Sequence, residues 1–341
     1  MNWIPFELHT HTPHSDGRHT LLEMCLEAKK LGLEGIALTD HNTVSGLAEA
    51  KRIQDETGIA IIQGLEWTTF YGHMLTLGAP YCEWRDLGIH DIHVGIERVH
   101  RAGGIVGIAH PYTMGSPICT GCHWEYEVKD WEDIDYIEVW HGMTPSYTSY
   151  NQLALQQWTS LLNEGYRITA TAGRDWHHSD SVVGIPAFTY IGLEERVDRY
   201  CTGQVVQAIQ RGRCFMSIGP LLHVEAQVDN RTYMLGDCID MTGVEAKVNT
   251  LSLSIQLQFS EIPSRNSEHM QVTRIIAESN RGDVLNVPWM EGQTVHEPDI
   301  PIEGLRWLRI KAVGVLYGGL TTVALTNPIY FTSKVKFYKE L

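Results

Sequence analysis

The feature that most constrains this chain is a repeated pattern, a short apolar run that ends on histidine, aspartate or glutamate. Residues 6–9 lead into His9-Thr10-His11, and 35–39 into Asp40-His41-Asn42. Residues 59–65 lead into Glu66, 105–109 into His110-Pro111, and 168–172 into Gly173-Arg174-Asp175-Trp176-His177. Further apolar runs stand at 74–77, 136–140 and 188–191, and helix-like segments at 20–31, 45–56, 91–102, 147–163 and 203–211. Strands separated by helices of this length predict βαβ units and a parallel sheet, either open or closed into a barrel. In that architecture the carboxyl ends of the strands open on one face, and sites are built there. Five separate strands therefore deliver acids or imidazoles to one rim.

Local spacing supports the same rim. In a strand, residues i and i+2 share a face, so His9 and His11 can reach one ion. The turn Ser15-Asp16-Gly17 can aim the Asp16 carboxylate back at it, and His73, seven residues after Glu66, can return from the next short strand. Imidazoles and carboxylates without cysteine suit zinc, manganese or iron at a hydrolytic site better than a structural all-cysteine zinc. Seventeen histidines are present, fourteen of them before residue 180.

The 341 residues are 43% hydrophobic and 20% charged, an ordinary globular composition long enough for more than one domain. Near Ser217-Ile218-Gly219-Pro220 the helical period fades. Alternating segments follow at 244–248, 251–259, 272–278, 307–313 and 321–325, which predict a small antiparallel β-sandwich. The expected domains are 1–218 and 219–341. The net charge of −15 disfavours nucleic acid polymers and anionic membranes, leaving a small molecule as the expected partner. No apolar run approaches a membrane span, and the N-terminus has no signal-peptide pattern. Seven irregularly spaced cysteines point to a reducing, cytoplasmic compartment, with Cys119 and Cys122 as unpaired thiols in a loop. Oligomeric state is not specified by any of these features.

The motifs His9-Thr10-His11, Ser15-Asp16-Gly17, Thr39-Asp40-His41-Asn42, Gly64-Leu65-Glu66, His73, Ala109-His110-Pro111 and Gly173-x-Asp175-x-His177 resemble those of the PHP (polymerase and histidinol phosphatase) superfamily. The resemblance covers roughly residues 5–215. It implies a distorted (β/α)7 barrel carrying two or three divalent metal ions (Mn, Zn or Fe). It also implies a division of ligands: His9, His11, Glu66 and Asp175 for one ion; Glu66, His73 and His110 for a second; Asp16, His41 and His177 for a third. The segments 208–214 and 326–330, with Gly219-Pro220, look like the carbaryl-hydrolase-type metallohydrolase branch, which adds a C-terminal β-domain. Two positions depart from the family pattern: Glu7, where Asp is usual, and His141, where Asn is expected.

The expected activity is that of a metal-dependent hydrolase, foremost a phosphoesterase acting on a small phosphomonoester or nucleotide. Two ions about 3.5–4 Å apart can hold a bridging hydroxide as nucleophile at neutral pH. Asp175 would orient it, and a third metal, or His177 or His178 if unligated, would assist the leaving oxygen. Arg174, inside the last motif, and Arg18, in the first loop, are the expected phosphate contacts, and His141 and His178 are further candidates for touching substrate. The alternative uses the same centre on a carboxylic ester, amide or carbamate.

Overall fold

A computed structural model describes residues 1–114, 123–179, 184–195, 200–241, 249–259, 270–290 and 292–332. Cys119 and Cys122, and the segment expected as a strand at 244–248, lie outside these residues. The chain is a mixed α/β fold dominated by one large sheet.

The first strand, β1 (Asn2–Thr10), is followed by α1 (Leu21–Lys30), β2 (Gly35–Leu38), α2 (Ala50–Thr57), β3 (Ala60–Thr69), β4 (Gly72–Leu77), α3 (Ile92–Arg101) and β5 (Ile105–Ile108). Then come β6 (Tyr136–His141), α4 (Ser149–Glu164), β7 (Thr169–Gly173), β8 (Phe188–Leu193), α5 (Thr202–Gln210) and β9 (Cys214–Ser217). The α1 helix shows why the sequence period works. Leu21, Met24, Cys25 and Ala28 recur at helical spacing and are buried, and a Thr20/Glu23 capping box fixes its start.

Strands β1 to β7 are neighbours in chain order. Pairings β1–β2, β2–β3, β5–β6 and β6–β7 are parallel. Beyond β7 the chain returns to β1: Trp176 N donates to His9 O (2.9 Å), and His11 N donates to Trp176 O (3.0 Å). Regular strand–helix alternation does not hold throughout. A tight reversal at Phe70-Tyr71 leaves no room for a helix, so β3 and β4 form an antiparallel hairpin and β4 also runs antiparallel to β5. Glu66 consequently lies inside β3, not beyond its end, and His73 pairs across from Thr68.

After residue 218 the strands are β10 (Leu221–Val228), β11 (Arg231–Tyr233), β12 (Cys238–Asp240), β13 (Thr250–Gln258), β14 (Met270–Ser279), β15 (Gly282–Pro288), β16 (Thr294–Pro301), β17 (Trp307–Leu316), β18 (Gly319–Thr326) and β19 (Ile329–Thr332). Four of them make a separate sheet, ordered β11-β10-β13-β16. The others extend the large sheet through the β18–β9 pairing. Alternate residues of β10 and β13 (Leu222, Val224, Ala226; Leu251, Leu253, Ile255) are buried in one core with Ile275, Ala277, Ile310 and Ala312 of β14 and β17. That core also takes in α1, so apolar packing is continuous between the two halves of the chain.

The seam is polar as well. Asn327, fully buried, accepts from Ala170 N (2.7 Å) and donates to Ala170 O (2.9 Å) and Cys214 O (3.0 Å). It thereby ties the β18–β19 connection to β7 and β9. No helix among the described residues is long and apolar enough to cross a membrane.

Candidate metal centre

Each expected ligand reaches the rim for a local reason. The β1–β2 register shifts between Glu7 and Thr10, and His9 and His11 emerge there with ring centroids 5.0 Å apart. The loop that carries Asp16 is pinned by Asp40, which accepts from Thr12 N (2.7 Å), Thr12 Oγ1 (2.8 Å) and Ser15 Oγ (2.8 Å). Gly17 then passes so close to the His11 carbonyl that a Cβ would sit 2.0 Å from its oxygen, so only glycine permits this turn. Asn42, His110 and Asp175 adopt positive φ (57°, 27° and 56°), a conformation that costs energy outside glycine and recurs at functional strand ends.

All nine expected ligands meet. Glu66 is the hub: Oε2 lies 3.2 Å from His9 Nε2, 3.3 Å from His11 Nε2 and 2.8 Å from His41 Nδ1. Its Oε1 lies 2.8 Å from His73 Nδ1 and 3.3 Å from His110 Nε2. Asp175 Oδ1 lies 2.8 Å from His11 Nε2 and 3.3 Å from His9 Nε2. Asp16 Oδ1 lies 3.0 Å from His177 Nε2 and 3.4 Å from His41 Nε2. Three sets of ligand atoms each fall within 4.8 Å of one another: His9, His11, Glu66 and Asp175; Glu66, His73 and His110; and His11, Asp16, His41 and His177.

These residues fit divalent cations on chemical grounds. His9 Nε2, His11 Nε2, His110 Nε2, Glu66 Oε2 and Asp175 Oδ1 are buried and crowded together, yet none has a hydrogen bond of acceptable geometry. Leaving a buried polar atom unsatisfied costs about 1–3 kcal/mol. A cluster of five such buried atoms converging on one point is the arrangement a cation relieves. The donors are nitrogen and oxygen only, the set expected for zinc, manganese or iron.

Two acids that the sequence did not single out as site residues hold this cluster in place. Glu138, in the middle of β6, faces His9 Nδ1 (3.1 Å), accepts from His110 N (3.0 Å) and lies 3.4 Å from His141 Nδ1. A carboxylate at Nδ1 sets the imidazole tautomer and leaves the Nε2 lone pair facing the cluster. Burial pushes the Glu138 carboxyl up, but His9 and His141 outweigh it and hold it at about 2. Glu7 Oε1 accepts from His9 N (3.2 Å) and Arg174 N (3.1 Å), joining the first and last motifs, while burial raises its carboxyl to about 7 against the pull of Arg174. The available signal was an acid flanked on both sides by apolar residues within a strand, Ile137-Glu138-Val139 and Phe6-Glu7-Leu8.

The remaining expected residues divide. His141 stands beside the cluster, its ring 4.6 Å from that of His110, and its ligand atom falls within 4.8 Å of those of His110 and Asp175. Arg174 is turned aside: its Nε lies 3.3 Å from Glu7 Oε2 and its guanidinium stacks 3.4 Å over Trp176. Burial lowers Arg174 to about 10 even beside Glu7. Arg174 and His178 line a cavity of about 590 Å³ that reaches Asp175 and His177. A second cavity, about 290 Å³, opens on Asp16, His41, His73 and His110 beneath Trp124. Arg18 is exposed, and its backbone N donates to His177 O (2.8 Å). His177 is pulled down by burial but raised overall to about 9 by Asp16 and Asp175.

Residues 7–104 match the PHP domain. That stretch holds the expected ligands from His9 to His73. Relatives include an uncharacterized protein of Methanocaldococcus jannaschii, 31% identical over 114 residues (33% of this chain, 63% of that protein). Another is the error-prone DNA polymerase of Symbiobacterium thermophilum, 37% identical over 118 residues (33% of this chain, 11% of the polymerase). The chain thus matches less than two thirds of the length of either. Among solved structures, a two-domain protein of Bacteroides vulgatus containing a predicted PHP-like metal-dependent phosphoesterase shares the fold. Its TM-score is 0.53 at 14% identity, covering 96% of this chain and 95% of that one.

Proposed function

We propose that this chain is a metal-dependent phosphoesterase of the PHP type acting on a small phosphomonoester or nucleotide, with β1–β7 as a distorted seven-stranded barrel (residues 1–218) and a C-terminal β-domain (219–341). The observation that carries this reading is the convergence of nine imidazoles and carboxylates on one rim, five of their buried atoms lacking a hydrogen bond. The matching PHP domain and the two-domain fold similarity support it.

His9, His11, Glu66 and Asp175 would hold one ion; Glu66, His73 and His110 a second; Asp16, His41 and His177, with His11 near, a third. Divalent ions there supply Lewis acidity and lower the pKa of water to the neutral range. The chain's own part is positioning. Glu138 fixes the His9 tautomer, and Glu7 locks the backbone of β1 to that of Arg174. Where no third ion occupies Asp16, His41 and His177, the His177 imidazolium, paired with Asp16, would be placed to donate to a leaving oxygen. Trp124 and Trp176 line the two cavities that reach the cluster and offer apolar surface to a substrate there.

One observation favours the second reading, hydrolysis of a carboxylic ester, amide or carbamate. The expected phosphate-binding cation, Arg174, is engaged by Glu7 and Trp176. A panel of p-nitrophenyl phosphates, p-nitrophenyl esters and aryl carbamates with added Mn²⁺ separates the two. Faster turnover of phosphates supports the proposal, and turnover confined to esters or carbamates replaces it with the alternative.

A further inference from the structure

Two segments that the metal rim does not use, 208–214 and 326–330, meet at the far end of the same strands. Gln210, Arg211 and Arg213 from the first and Tyr330 from the second line a cavity of about 320 Å³. Its other wall is made by residues at the starts of β6 and β7, including Asp135 and Arg167, and by the turn at Asp237. From Thr169 in this cavity β7 runs in extended chain to Gly173, about 13 Å away and two residues before Asp175 at the rim. The α5 helix caps this end: Thr169 Oγ1 donates to Ile209 O (2.7 Å), and Tyr200 Oη donates to Glu34 Oε2 (3.3 Å).

The cavity gathers three arginines in a chain whose net charge is −15. Its two aspartates are committed within the wall. Asp237 binds Arg213 Nη2 (2.6 Å) and Met234 N (2.7 Å), and Asp135 binds His100 Nε2 (2.7 Å) and Val106 N (2.9 Å). Arg211 is exposed and makes no ion pair among the described residues. Arg167 donates to Cys238 Sγ (3.1 Å) and lies over the Tyr330 ring at 5.2 Å from its centroid, contacts that orient the guanidinium at the cavity wall. Guanidinium forks match phosphate oxygens in pairs, and the volume suits a ligand of mononucleotide size.

We propose that this cavity is a second binding site, taking a small phosphorylated molecule at the end of the barrel opposite the metal rim. Arg167 and Arg211 grip the phosphate, and Tyr330 supports the rest of the molecule. This does not depend on which ester the rim cleaves.

The test is calorimetric titration of the full chain with AMP, inorganic phosphate and adenosine, run metal-loaded and again after chelation, so that a step lost on chelation is assigned to the rim and a step that persists is assigned to this cavity. It is repeated on Arg167→Ala, on Arg211→Gln and on the two combined, with circular dichroism checking the fold. Both arginines are exposed, and Arg211→Gln keeps side-chain length, so at least one variant reports on binding rather than folding. The expected result is an AMP-binding step weakened at least tenfold in the combined variant, at least tenfold weaker with adenosine, and accompanied by unchanged metal content. Phosphate binding as tightly as AMP identifies the free anion as ligand, and AMP binding tighter identifies a nucleotide. An AMP step that is absent, or that survives unchanged in every arginine variant, overturns the proposal.

Discussion

Asn327 carries the most local of the long-range links between the halves, and its removal has a calculable cost. Replacement by leucine keeps the number and branching of side-chain heavy atoms and deletes every side-chain polar contact. Ala170 N, which donates to the Asn327 Oδ1, becomes a buried N–H without a partner, at about 1–3 kcal/mol. The Ala170 and Cys214 carbonyls each lose a donor, at about 0.5–1.5 kcal/mol apiece. The sum is about 2–6 kcal/mol. At about 2–4 °C per kcal/mol for a large domain, the melting temperature should fall by at least about 4 °C. Asn327→Asp should be worse than leucine, because it buries a charge as well as losing both donated hydrogen bonds. The assay is urea denaturation of the chelated protein followed by tryptophan fluorescence and circular dichroism. Since Ala170 lies on the strand that delivers Asp175, metal affinity should fall with stability. A leucine variant within about 0.5 kcal/mol of wild type would refute the polar-seam reasoning.

Three further outcomes are expected. Glu138→Gln should lower metal affinity about 10- to 100-fold while the protein remains folded, read by competition with a metallochromic chelator. Gly173→Ala places a Cβ 2.2 Å from Glu138 Oε1 and 2.8 Å from His9 Cβ, so it should reduce bound metal per chain as Glu138→Gln does, measured by elemental analysis after dialysis. In the metal-free protein His177 is raised from 6.5 to about 9, so its contribution to stability is full below pH 6.5 and is lost as pH rises through 9. Asp16→Asn removes the largest contribution to that rise, so its destabilisation of chelated protein should be greatest near pH 6 and vanish above pH 9.5 in melting curves across that range.

Much of the rim was legible because strand-end chemistry is local. His9, His11, His41, His110, Asp175 and His177 lie at or just past the ends of apolar runs, and the Ser15-Asp16-Gly17 turn signalled the return of Asp16, although Asp40 from the next strand end is what pins that loop. Glu138 and Glu7 were hidden because each occupies the middle of a strand, where an acid reads as a solvent-facing residue until both faces prove buried. Arg174 misled for a related reason. Its position beside Asp175 says nothing of direction, and Glu7, far away in sequence, captures it. In the C-terminal half, alternation located β13, β14, β17 and β18, but it carries no information about partners. That β18 pairs with β9, and so continues the first half's sheet, depends on register between residues more than a hundred positions apart.

The central claim is that cations sit among Glu66, His9, His11, His73, His110 and Asp175. Anomalous diffraction from crystals of the purified protein, collected across the manganese, iron and zinc absorption edges, tests this directly. The account predicts at least two strong peaks flanking the Glu66 carboxylate. A map featureless at that rim, from protein that turns over its substrate with a chelator present, would contradict it.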